Sequence, residues 1–91
     1  MSKNSEHFTL AANQVKNLKT RPNNSELSDL YGWYKQATVG DINIQEPFFK
    51  LGADFEKWKA WNKVKGASLY DSECNYIMLV NSLIKKYGLQ S

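Results

Sequence analysis

Ninety-one residues with 42% hydrophobic and 23% charged content fit one small soluble domain and leave no room for a second core. A lone cysteine, Cys74, and a lone histidine, His7, exclude an intramolecular disulfide and a four-ligand zinc site of Cys and His. The net charge of +3 suits an anionic partner, although an ordinary soluble surface carries such a charge equally well.

The N-terminus, MSKNSEHFTL, has no apolar run behind its basic residue, so a signal peptide is not expected. The longest strongly apolar run, Tyr76 to Val80, is far too short to span a bilayer. A cytoplasmic, soluble chain is the expectation.

Four helices can be read, with no convincing strand pattern between them. Phe8, Ala12, Val15 and Leu18 recur on one helical face, and that helix must stop before Arg21-Pro22. The second helix begins near Asn23 or Asn24, either a good N-cap, with Glu26 complementing the dipole. Its stripe is Leu27, Leu30, Tyr31 and Tyr34, and Gly40 is a natural stop. A loop runs from there to about Gly52. The third helix spans roughly Ala53 to Lys65, with Trp58 and Trp61, and Gly66 ends it. Ser68 caps the fourth, with Asp71 and Glu73 in its first turn and Lys85-Lys86 in its last. Its stripe is Tyr76, Ile77, Val80, Leu83, Ile84 and Tyr87, closed by Gly88. The expected architecture is an all-α four-helix bundle: one domain over residues 5–88, with short flexible ends at 1–4 and 89–91.

Catalysis finds little support. No nucleophile elbow, zinc-protease pair, C-x-x-C or glycine-rich phosphate loop occurs, and Cys74 is read as a buried thiol. The distinctive feature is lysine interleaved with tyrosine. Tyr31 and Lys35 share a helix face, with Tyr34 alongside. An ammonium beside phenolic hydroxyls can hold a phosphate through charge-assisted hydrogen bonds, although the tyrosines could equally be core while Lys35 reaches out to water. Lys57, Lys59, Lys63 and Lys65 crowd the third helix around Trp58 and Trp61. That is either a solvated face over two core indoles or a phosphate-facing surface whose rings stack on a base.

Tyr31, Tyr34-Lys35-Gln36-Ala37-Thr38 and Gly40-Asp41 closely resemble the signature of the acyl-CoA-binding protein family. Further blocks match: Phe8, Ala12, Val15, Lys16, Leu18, Lys19, Thr20 and Pro22; then Lys57-Trp58 with Ala60-Trp61-Asn62 and Lys65-Gly66; then Tyr76-Ile77 and Lys85-Lys86-Tyr87-Gly88. The resemblance covers residues 8–88. It implies a bundle of that family's type, with no enzymatic activity and no cofactor, holding a fatty-acyl-CoA ester as ligand. Tyr31, Lys35 and Lys57 would contact the 3′-phosphate and nearby ribose-adenine. Lys16 and Tyr34 would line the nucleotide site, and Tyr76 would reach the ligand from the fourth helix. The expected partners are the ester, acyl-CoA-using enzymes and, transiently, membranes. The chain is expected to be monomeric and not to bind nucleic acid, which remains the rival reading of the basic third helix.

The chain departs from the family at Pro47-Phe48-Phe49-Lys50-Leu51-Gly52-Ala53-Asp54-Phe55-Glu56. Ala53 stands where many members place a ligand-contacting lysine, and Phe55 where another lysine is common. The gathered Phe48, Phe49, Leu51 and Phe55 either pack beneath an acyl chain or close the bundle.

Overall fold

The computed structural model describes residues 4–90. Its helices are α1 (Glu6–Gln14), α2 (Asn24–Thr38), α3 (Ala53–Lys63) and α4 (Leu69–Tyr87), with a 3₁₀ turn at Val15–Asn17. Three of the four helices start where a side chain satisfies a free N–H group. The Ser5 hydroxyl accepts from the Phe8 N–H, and the Ser68 hydroxyl from the Asp71 N–H. Asn23 and Glu26 form a reciprocal capping box at α2. Before α3, Gly52 adopts φ 89°, a conformation open to a residue without Cβ. Gly88, at φ 80°, closes α4 by donating its N–H to the Ile84 carbonyl.

The first helix is shorter than the spacing of its apolar residues suggests. It ends at Gln14, and Leu18 is extended rather than helical. Leu18 forms an isolated antiparallel bridge with Leu89, flanked by bonds from the Lys19 N–H to Gly88 and from the Gln90 N–H to Asn17. Leu18 is still buried, as its place in the apolar pattern demands. At the other end, the Asn4 amide donates to the Ala37 carbonyl and to Glu73. Of the ends expected to be flexible, Asn4 and Gln90 therefore make tertiary hydrogen bonds, and Leu89 sits opposite Leu18 in the bridge. Residues 1–3 and 91 lie outside the described residues.

α2 is the centre of the packing. It lies against both α4 and α3, α4 also packs on α1, and α3 meets no helix but α2. The core holds Phe8, Ala11, Leu18, Leu30, Ala37, Tyr76, Val80 and Leu83, drawn from α1, α2, α4 and the segment after the 3₁₀ turn. Burying these side chains supplies the main favourable free energy of the fold. Cys74, expected to be buried, is only half-buried. Glu73, expected as a first-turn complement to the dipole, is instead buried one turn further in. Burial alone would raise its carboxyl pKa. Hydrogen bonds from Asn4 and Ser5 more than offset that and hold it below the ordinary value.

The loop phenylalanines do not close the bundle. Phe48 is 90% exposed, Phe49 77% and Leu51 85%, while Phe55 is half-buried, with the Lys59 ammonium 4.8 Å from its ring centroid. Among the described residues, no helix is long and apolar enough to cross a membrane.

Candidate functional site

Tyr31, Tyr34 and Lys35 occupy one arc of α2, because residues three and four apart are neighbours on a helix. Tyr31 faces α3, where the Lys57 ammonium lies 5.5 Å from its ring centroid. Lys35 also reaches α3, with its ammonium 4.9 Å from the Trp61 ring. The seam between the two helices thus presents two cations, each over an aromatic face. Among the described residues, Lys16, Lys35 and Lys57 have no carboxylate within ion-pair distance. Their charge is available to an incoming anion.

Tyr34 meets different elements. Its ring stacks on Phe8 of α1 at 5.7 Å between centroids and lies 5.7 Å from Tyr76 of α4. Phe8 and Tyr76 are themselves 4.9 Å apart. Tyr34 is 40% exposed whereas Tyr76 is only 3% exposed, so Tyr34 forms the surface of this triangle and Tyr76 its floor. Burial, followed by the neighbouring Tyr34, pushes the Tyr76 hydroxyl up to about 12. It therefore stays protonated and able to donate at neutral pH. Lys16 stands exposed on the 3₁₀ turn and shares no ion pair or ring contact with the other five residues.

A groove of about 940 Å³ opens between the first turns of α2 and α3. One wall carries Arg21, Leu27, Ser28 and Tyr31, and the other Gly52, Ala53 and Lys57. Its size is that of a site for an organic ligand. Asp29 and Glu56 also border it, the latter paired with Lys59 at 3.1 Å. Two of the six expected site residues, Tyr31 and Lys57, line this groove. Arg21 and Leu27 belong to it too, although the sequence marks Arg21 only as a helix end and Leu27 only as core. The available signal is the spacing of Leu27 and Tyr31, one turn apart on a single face.

The indoles of α3 are not free. Trp61 is 2% exposed and donates its N–H to the Gly40 carbonyl at 2.8 Å. Trp58 is half-buried and donates to Ile44 at 3.2 Å. Trp61 thus has no open face on which a nucleic-acid base could stack. Among the described residues, no three His, Cys, Asp or Glu side chains gather as a metal ion requires.

Residues 5–80 match the family model described as acyl CoA binding protein. The chain belongs to the acyl-CoA-binding protein family. It is 42% identical over 84 residues to a candidate acyl-CoA-binding protein from the genus Hypsibius, covering 92% of this chain and 94% of that one. The crystal structure of Oryza sativa acyl-CoA-binding protein 2 superposes with a TM-score of 0.83 at 38% identity, over 89% of this chain and 88% of that one. The solution structure of the yeast acyl-coenzyme A binding protein gives 0.72 at 44% identity, over 91% and 96%. The fold is the all-α bundle of this family, whose members are binding proteins rather than enzymes.

Within the acyl-CoA-binding protein signature, the structure separates two sets of residues. Tyr31, Tyr34 and Lys35 present their side chains to rings and cations of other helices. Gln36 and Asp41 tie loops together. The Gln36 amide donates to Asp41 at 2.8 Å and to the Ala67 carbonyl at 3.1 Å, and Asp41 also accepts from the Gly66 N–H at 2.8 Å. The Gln36 bond, then that from Gly66, holds the Asp41 carboxyl below its usual range.

Proposed function

We propose that this acyl-CoA-binding protein holds medium- to long-chain fatty-acyl-CoA esters non-covalently, as a cytoplasmic, monomeric carrier and pool former that serves acyl-CoA-using enzymes. The binding unit is the domain over residues 5–88. Tyr31, Lys35 and Lys57 receive the 3′-phosphate and adjacent ribose-adenine, Lys16 and Tyr34 complete the nucleotide site, and Tyr76 supports it from below.

The observation that carries this reading is the α2–α3 seam. Two lysines with no carboxylate partner among the described residues stand there over aromatic faces, and one of them borders a groove large enough for an acyl chain. A ligand with an anionic head and an apolar tail needs those two features side by side. Burying a chain of about sixteen carbons offers on the order of 10 kcal/mol at roughly 0.8 kcal/mol per methylene, and lost ligand freedom offsets much of it. The lysines fix orientation and discriminate against free fatty acids.

Isothermal titration calorimetry with palmitoyl-CoA, free CoA and palmitate tests the reading. Much tighter binding of palmitoyl-CoA than of either fragment is expected, and equal affinities for all three would refute it.

A further inference from the structure

Among the described residues, the three most exposed large apolar side chains are Phe48, Leu51 and Phe49, all within four consecutive residues of the loop joining α2 to α3. The segment is not loose chain that failed to find the core. The Trp58 indole donates to the Ile44 carbonyl at its start, Lys50 pairs with Glu46, and Gly52 turns directly into α3. The two phenylalanine rings pack edge to face on each other, 5.3 Å between centroids, and both remain open to water. Nearby in the chain, the Lys50 and Lys59 ammonium groups lie 6.0 and 4.8 Å from the ring of Phe55. From Ile44 to Lys65 there are five lysines against three carboxylates, so most of the chain's net positive charge lies here.

We propose that Phe48, Phe49 and Leu51 form a tip that inserts into the interface of an anionic lipid bilayer, with Lys50 and Lys59 at the level of the headgroups. Phenylalanine and leucine below a lysine collar are the components of an interfacial anchor. Basic side chains beside an anionic leaflet add attraction, and their long stems let the charges reach the headgroups. The exposed ion pairs Lys50–Glu46 and Lys59–Glu56 contribute little, so both ammonium groups can turn to lipid phosphates. A second copy of the chain is a poorer occupant. Three side chains on an irregular loop fall well short of the roughly 800 Å² per partner of a stable protein interface. The next residues, Gly52 and Ala53, line the groove. Given the proposed acyl-CoA binding, on which this last step rests, docking sets the groove mouth against the surface from which such an amphiphile is drawn or to which it is returned.

The test is flotation of the full chain with phosphatidylcholine vesicles, with and without about one-third phosphatidylserine. The unaltered protein is expected to float with the mixed vesicles, less so as salt is raised. Phe48→Ser/Phe49→Ser is expected to lower the bound fraction at least about fivefold, and Lys50→Glu to abolish the preference for phosphatidylserine. Circular dichroism should show both variants folded, since these side chains are outside the core. Equal flotation of the double variant, or none of the unaltered chain, overturns the proposal. So does self-association that the double variant abolishes when no vesicle binding is seen. Octanoyl-CoA titration without vesicles separates the two readings: its failure refutes acyl-CoA binding, while flotation alone decides the role of the loop.

Discussion

Gly32 of α2 rests so close to the backbone of α3 that a Cβ at this position would stand 2.5 Å from the Ala60 carbonyl oxygen. The obstructing atoms are backbone, so no side-chain rotation could relieve the clash. Because α3 packs on α2 alone, this approach sets how Lys57 and Trp61 face Tyr31 and Lys35. Gly32→Ala is therefore expected to destabilise the protein by about 1–3 kcal/mol, the usual cost of overpacking, and to weaken ligand binding. Urea denaturation checks the first effect; an unchanged midpoint would show that α3 shifts freely.

Lys35→Ala and Lys57→Ala should each weaken palmitoyl-CoA binding at least about tenfold, the worth of one charge-assisted hydrogen bond. Thermal stability should hardly change, because neither lysine makes an ion pair with a described residue. Calorimetric titration of both variants decides this, and wild-type affinity in both would remove the seam from the site.

Glu26 links the start of α2 to the end of α4. It accepts from Lys86 at 2.9 Å, from the Tyr87 hydroxyl at 2.7 Å and from the Asn23 N–H at 2.9 Å. These bonds, led by that from Lys86, lower its pKa from 4.5 to about 2. A depressed carboxylate contributes stability above its unfolded pKa, and that contribution disappears as pH falls through the folded value. Glu26→Gln should thus melt below the unaltered protein at pH 7, with the gap narrowing between pH 4.5 and 2. A gap independent of pH in thermal melts would contradict this.

Ala53 borders the groove one helical turn before Lys57. Ala53→Lys adds a cation at an exposed first-turn site. Tighter binding of palmitoyl-CoA is expected, by roughly threefold to tenfold at low ionic strength and less at high salt. Titration at two salt concentrations measures it; a gain indifferent to salt would point to packing rather than charge.

Local pattern carries the helices because caps and stripes are properties of neighbouring residues. Asn23 with Glu26, Ser68 and Gly88 act in the structure where their chemistry predicts, and every member of the α4 stripe is buried or half-buried. The signature around Tyr31 and Lys35 is equally legible, since it is contiguous. Periodicity misplaces Leu18 in a helix because the bonds that hold it extended come from Gly88 and Gln90, some seventy positions away. Arg21 gives no sign of the groove in the sequence, and Leu27 only its shared face with Tyr31, because their wall matters only once Ala53 and Lys57 stand opposite.

Composition, caps and periodicity by themselves thus determined an all-α chain with most of its helix ends, though not that of α1, and a motif rich in lysine and tyrosine. Tertiary structure alone decided which elements the motif residues face. It sent Gln36 and Asp41 to brace loops, buried Tyr76 beneath Tyr34, and left Phe48 and Phe49 in water. The physical reason is that a helix pattern fixes which residues share a face, whereas what that face meets depends on close approaches such as Gly32 to Ala60. Those are contacts between backbones far apart in the chain, and no local pattern encodes them.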